Sequence, residues 1–327
     1  MEFIKIWAHR LYVKLRQAIR HCMLLRYRAN KMPNSAAIIR RRMSLQQLQQ
    51  GFDSLPAEAR ENGKAESFAL ASGVLRAFMN ADWVERHIVS DSRKKGFLSI
   101  DESDPIRYET SIFRVMDLAE VIYNLQAVPG FDECITRMRD GDIEGTYAEL
   151  DFGRMLCLNK VPFRFVIPQG RIGCDYDIEV EYSDGVVAAA DAKCKIESTE
   201  FSENTIKNTL NKARKQLPDA NPGIVFVKVP PRWITNPENI VSMVDVARSF
   251  LRGTRRVVSV KYYTSPIAFA DNMLRHDHAY KEISNPVTDF GNDEDWSIFK
   301  KFILPPEMNG MPAHWQRIIF FPDGKPR

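Results

Sequence analysis

A chain of 327 residues, 44% hydrophobic and 27% charged with a net charge of +4, has the composition of a soluble globular protein and the length to bury an active site. No segment approaches the ~18 uninterrupted apolar residues of a membrane span, which excludes a membrane-embedded protein. The five cysteines, Cys22, Cys134, Cys157, Cys174 and Cys194, are scattered and never in CxxC spacing, which argues against a disulfide framework or a structural zinc site and favours a reducing, cytoplasmic setting.

The charge is uneven from the start. Residues 1–43 hold eleven Lys or Arg, among them Arg16, Arg20, Arg26, Arg28, Arg40, Arg41 and Arg42, against the single acid Glu2, so the rest of the chain is net negative. A basic, acid-poor arm is the electrostatic footprint of phosphate-backbone binding. A solvated helix face, an arm for an acidic protein partner and an organellar transit peptide share that composition and stay open. Charges at Lys5, Arg10 and Lys14 interrupt any secretory h-region. From there to about Gly145 apolar residues recur at helical spacing, as in Ile112, Val115, Met116, Leu118, Ala119, Val121, Ile122 and Leu125, which predicts an all-helical N-terminal domain over 1–145. Turn-rich stretches at Asn62-Gly63, Asp101 to Pro105 and Val128-Pro129-Gly130 punctuate it.

The texture changes near Thr146. The pattern predicts a helix over 146–158, a strand over 161–167, two strands over 171–181 and 186–195, a helix over 203–217 and a strand over 223–229, in shorthand αβββαβ. A further helix over 237–252 and a strand over 256–263 extend the same mixed sheet, so the fold class is α/β. A second domain then runs over 146–265, with a C-terminal extension over 266–327 that is poor in signals apart from a strand near 316–321.

The strands 171–181 and 186–195 flank Ser183-Asp184-Gly185, a strong hairpin signal. With a three-residue loop and Gly185 in the left-handed region, the register sets Asp177 opposite Asp191, and period-two alternation puts Lys193 on the face of Asp191. A two-residue loop at Asp184-Gly185 would instead oppose Asp177 to Ala192. Two carboxylates about 5 Å apart repel unless something positive lies between them, and the apolar run Val186 to Ala190 makes solvation improbable. A divalent cation resolves this, and oxygen-only ligands select a hard ion, Mg²⁺ or Mn²⁺. A lysine beside it suits phosphodiester hydrolysis. Glu149, at the edge of the stripe Ala148, Phe152, Met155 and Leu156, adds a third inward carboxylate that needs a partner.

Glu149 in Tyr147-Ala148-Glu149-Leu150, then Asp177-Ile178-Glu179-Val180, then Asp191-Ala192-Lys193 on the next strand resembles the PD-(D/E)xK, or restriction-endonuclease-like, nuclease superfamily over roughly residues 146–229. The resemblance implies that Asp177 and Asp191 bind metal, that Lys193 is the catalytic lysine, and that Glu149 joins the metal shell as in some branches. It also places Gln216 where several branches keep a polar residue near the active site. The chain departs from the pattern in lacking a proline before Asp177 or Asp175 and in using Asp where Glu is commoner before the lysine.

The activity so implied is Mg²⁺- or Mn²⁺-dependent hydrolysis of nucleic acid, DNA first, leaving 5′-phosphate and 3′-hydroxyl ends, in restriction, antiphage defence or DNA repair. Lys207, Lys212 and Lys215 of the helix 203–217 could line a phosphate path or form a solvated face. A homodimer or larger assembly, a protein partner for the helical domain, and a catalytically silent nuclease-fold protein that binds nucleic acid or a protein all remain alternatives. Asp175-Tyr176-Asp177 also matches the short DxD motif of nucleotide-sugar transferases, without other support. His276-Asp277-His278 reads as a loop or surface helix rather than a metal site. The same hairpin register sets Cys174 opposite Cys194, as reduced thiols packed in the sheet.

Overall fold

The computed structural model describes residues 43–291 apart from 55–56, 58–62, 90–95, 160, 172, 183–184, 266, 271–272 and 277–278. The basic arm up to residue 42 and the strand expected near 316–321 lie outside the described residues. The chain divides into two compact units at Ala127/Val128, ahead of the change of texture near Thr146, and the helix that follows Gly130 belongs with the sheet.

In the first unit the described elements are helical: α1 (Leu45–Asp53), α2 (Gly63–Met79), α3 (Ala81–Val84), a π-helical turn (Glu85–Val89) and α4 (Pro105–Leu125). Asp104 caps α4 by accepting from the Ile106 and Arg107 amides, with Pro105 in the first turn where no amide is needed. The expected apolar stripe of α4, from Ile112 to Leu125, is buried, and α4 packs on α2.

The second unit is α/β. Its elements are α5 (Phe131–Arg139), α6 (Ile143–Leu158), β1 (Phe163–Phe165), β2 (Ile178–Glu181), β3 (Val187–Cys194), α7 (Glu203–Gln216), β4 (Gly223–Lys228), α8 (Pro231–Ile234), α9 (Pro237–Arg252), β5 (Val257–Thr264), β6 (Ile267–Ala270), β7 (Met273–His276) and β8 (Ala279–Ser284). Six strands form one sheet in the order β1-β2-β3-β4-β5-β8. The pairs β3/β4 and β4/β5 are parallel and the remaining neighbours antiparallel, so the sheet is mixed.

Helices cover both faces at the centre. Phe152 of α6 stacks on Phe226 of β4 at 4.7 Å between ring centroids. On the other face Ile206, Leu210 and Ala213 of α7 and Met243, Ala247 and Leu251 of α9 share one core with Val225, Val227, Val260 and Tyr262. Burial from two sides explains why β4 and β5 read as almost unbroken apolar runs. Ser202 caps α7 through the Thr205 amide, and Asn236 caps α9 through the Glu238 amide.

Beyond Ser265 the structure departs from the sequence expectation. Three strands stand where few signals were legible, and β8 joins the sheet against β5. Its residues Ala279 to Ser284 bury only Ile283, because an edge strand shows little apolar alternation. His276, the first residue of a stretch expected as a loop or a surface helix, closes β7, and Asp277 and His278 lie outside the described residues.

Gly130 locks α5 to β1. Its φ is +82°, and a Cβ added there would lie 2.1 Å from the Phe165 carbonyl oxygen, while the Phe165 amide donates to the Pro129 carbonyl at 2.9 Å. Gly130→Ala is therefore expected to cost roughly 2–4 kcal/mol, from backbone strain and the displaced strand together. Denaturant midpoints of the two proteins check this; an unchanged midpoint contradicts the close approach.

Candidate functional site

The hairpin register decides which side chains meet. Ile178 pairs with Ala190, Glu179 with Ala189, Val180 with Ala188 and Glu181 with Val187. The Tyr182 amide donates to the Val186 carbonyl at 2.9 Å, and Gly185 has φ +72°. This is the register of a three-residue loop, and it runs as far as Ile178; beyond it the Asp177 amide donates to the Ala190 carbonyl at 3.0 Å. A glycine is needed at position 185 because the left-handed conformation costs other residues about 1 kcal/mol or more.

The ladder ends at Ile178. The next β3 amide in line, that of Ala192, donates instead to Asp177 Oδ2 at 2.7 Å. Asp177 is thus held by one carboxylate oxygen, where a backbone carbonyl would otherwise sit, and stays partly exposed. Because the pairing stops here, the register does not extend to Cys174, whose amide closes a local turn onto the Arg171 carbonyl. The expectation of Cys174 packed opposite Cys194 fails for that reason; Cys194 pairs with Lys228 of β4.

Asp191 has no exposed surface. Lys193 Nζ lies 2.8 Å from both of its oxygens but hydrogen-bonds only Oδ1, and Oδ2 has no hydrogen-bond partner among the described residues. Burial pushes Asp191 well above the usual carboxylate range, and the charge of Asp177 adds to that. Burial likewise raises Asp177, against the pull of Lys193 and the Ala192 amide. Burial works against the Lys193 ammonium too, but Asp191 and Asp177 together outweigh it and hold its value above normal.

Glu149, in the middle of α6, is 4% exposed. Its partner is Arg137 of α5: Nη1 donates to Oε1 at 2.7 Å and Nη2 to Oε2. The thiol of Cys134 lies 4.0 Å from Oε2 and 3.6 Å from Arg137 Nη2. Burial, and then the charge of Asp177, push Glu149 up to about 8 despite the guanidinium. Arg137 and Cys134 escaped the sequence reading because nothing in the spacing of α5 shows that its last turn faces α6. A buried Glu one helix later was the only available sign that a cation had to be near.

The other expected residues divide clearly. Gln216 ends α7 and is half-buried. Its neighbour Leu217 packs against Gly223, which pairs with Ala189 at the start of β3, and no hydrogen bond joins Gln216 to the acids among the described residues. Lys207, Lys212 and Lys215 are all exposed on α7. The arginines 16, 20, 26, 28, 40, 41 and 42 lie outside the described residues.

Next to the site stands a second buried acid that sequence reading missed. Asp151, with no exposed surface, binds Arg154 at 2.6 Å and Lys228 of β4. Arg154 also donates to the Tyr263 hydroxyl at 3.1 Å, and Lys228 Nζ sits 3.8 Å from the centre of the Tyr147 ring. Each oxygen of Asp151 faces a cation, which ties α6 to β4 and β5 two residues along from Glu149.

The donor set bears on which ion could be held. Among the described residues no group of three or more His, Cys, Asp or Glu side chains is gathered around one point, and Glu149 is paired with Arg137. What is available is a pair of carboxylates, Asp177 and Asp191, with one buried oxygen that accepts no hydrogen bond. That fits Mg²⁺, which uses one or two carboxylates and keeps several waters, better than a cation that needs six to eight protein oxygens.

Glu149 contributes to the dependence of stability on pH. Its folded value near 8 lies above the ~4.3 of an unfolded chain. Its contribution is therefore complete below about 4.3 and is lost as pH rises through about 8. Asp177 and Asp191, also raised, act with the same sign. In the presence of a chelator the protein is expected to lose on the order of 1 kcal/mol or more between about pH 5.5 and 8.5, and Glu149→Gln to flatten that slope; unfolding midpoints across the range check it. No protein-family model, no curated protein and no solved structure matches this chain.

Proposed function

We propose that the chain is a divalent-metal-dependent phosphodiesterase acting on nucleic acid, with DNA as the first candidate, built on a PD-(D/E)xK core. The observation that carries this reading is how Asp177 and Asp191 meet successive residues of β3: the Ala192 amide donates to Asp177 Oδ2 at 2.7 Å, and the Lys193 ammonium lies on the buried Asp191.

Mg²⁺ or Mn²⁺ would be held by Asp177 and Asp191, where it would polarise a phosphoryl oxygen and lower the pKa of an attacking water. The protein's own groups supply the rest. The Ala192 amide fixes Asp177 Oδ2, so that carboxylate has little freedom left to lose on binding. Lys193 brings three donors next to the same carboxylates, and its ammonium is placed to face the charge that grows on the phosphate as the bond to the attacking oxygen forms. Burial of Asp191 keeps the site in a low dielectric, which strengthens each of these interactions. The exposed Lys207, Lys212 and Lys215 of α7, one helix away from β3, supply cations for the flanking phosphates.

Cleavage of plasmid, linear and single-stranded DNA and of RNA, with Mg²⁺ and with Mn²⁺, tests the reading. Lys193→Ala and Asp191→Asn are each expected to lower the rate by about 10²-fold or more. If the wild type and both variants are equally inert on every substrate, catalysis is ruled out and a silent nucleic-acid-binding protein remains. Exchange of Lys207, Lys212 and Lys215 for alanine is expected to weaken DNA binding alike for all sequences and to lessen its salt dependence by up to about three phosphate contacts. Fluorescence anisotropy at several salt concentrations measures this, and an unaltered slope removes α7 from the interface.

A further inference from the structure

The metal-dependent reading leaves one interaction without a role. Glu149 lies within the field of Asp177, yet Arg137 takes both of its oxygens, Oε1 at 2.7 Å and Oε2 on the other arm of the fork. A planar guanidinium matched to a carboxylate in this way is the strongest simple ion pair that side chains offer. Arg137 keeps 22% of its side chain exposed, whereas Glu149 keeps 5%.

The pair lies within electrostatic reach of the metal-binding acids. The charge of Asp177 acts on Glu149 and on Arg137, and that of Glu149 acts on Lys193. A cation of charge +2 between Asp177 and Asp191 would attract the same carboxylate that Arg137 holds with charge +1. One carboxylate cannot serve both with full geometry. Among the described residues the three acids form no cluster, and Glu149 is paired with Arg137.

We propose that Arg137 competes with the divalent ion for the Glu149 carboxylate, so that Glu149 is a ligand held in reserve and Arg137 sets the affinity of the site for metal. The inference rests on the metal-dependent reading of Asp177 and Asp191. In the metal-free protein the ion pair spares α6 a buried, uncompensated charge. When the ion binds, Glu149 exchanges a guanidinium for the ion, and the free energy of breaking the pair is subtracted from metal binding. Arg137 is thus a positioning residue that acts through Glu149.

The test is calorimetric titration of Mn²⁺ into the metal-stripped full chain, a readout separate from cleavage. Arg137→Met is expected to bind Mn²⁺ about tenfold tighter or more, the scale on which partners of metal ligands tune affinity. The gain should vanish in the Arg137→Met, Glu149→Gln double variant, because no reserve ligand is left. Arg137→Lys keeps the charge without the fork and should tighten binding by a smaller factor. It carries the test if Arg137→Met does not fold, as circular dichroism will tell. Binding equal to or weaker than wild type in the folded Arg137 variants overturns the proposal, as does a gain that survives in the double variant. A different result, no Mn²⁺ binding by the wild type that Asp191→Asn abolishes, removes the metal reading itself and the proposal with it.

Discussion

A carboxylate with no exposed surface, Asp191, sits in the middle of a sheet covered on both faces, and the arrangement around it follows from that burial. Moving an ion of this size out of water costs several kcal/mol even after relaxation, unless cations and hydrogen bonds compensate. Here the compensation is partial: one ammonium spans both oxygens, and one oxygen accepts no hydrogen bond. The neighbouring Asp177 adds repulsion instead of relief. Such a centre is poised to take up positive charge.

Asp151 makes the contrast plain. It is equally buried and lies two residues from Glu149, but Arg154 and Lys228 face its two oxygens and Tyr263 extends the network. Compensated in this way, a buried acid ties elements together and has no valence left for a ligand. Asp191 and Asp151 are the same residue type at the same burial; the difference in what each can do lies in the number of cations around it.

The backbone contributes through where it stops. The β2–β3 ladder gives out at Ile178, and the Ala192 amide is left to a side chain, Asp177. A sheet that continued would have consumed that amide with a carbonyl and left no reason for a carboxylate to be there. On the helix side, α5 supplies Arg137, and Gly130 sets the approach of α5 to β1 by allowing backbone to lie against backbone. Glu149 is reached by both arrangements, from the charge of Asp177 on one side and from the guanidinium on the other.

What the sequence determined by itself is local. The Ser183-Asp184-Gly185 loop sets a hairpin register, so the pairing of Ile178 to Glu181 with Val187 to Ala190 was legible, as was the order of helices and strands from α6 to β5 apart from the short α8. Glu149 could be read as inward-facing from its helix stripe. Tertiary structure alone decided what those groups meet. The partner of Glu149 comes from another helix, the two cations on Asp151 come from its own helix and from β4, and the pairing of Cys174 fails because a ladder ends. The strands after Ser265 were illegible because edge strands bury one side at most and carry little alternation. Short-range geometry is written in neighbouring residues; charge compensation in a buried site depends on residues far apart in sequence, and only the packed chain brings them within reach.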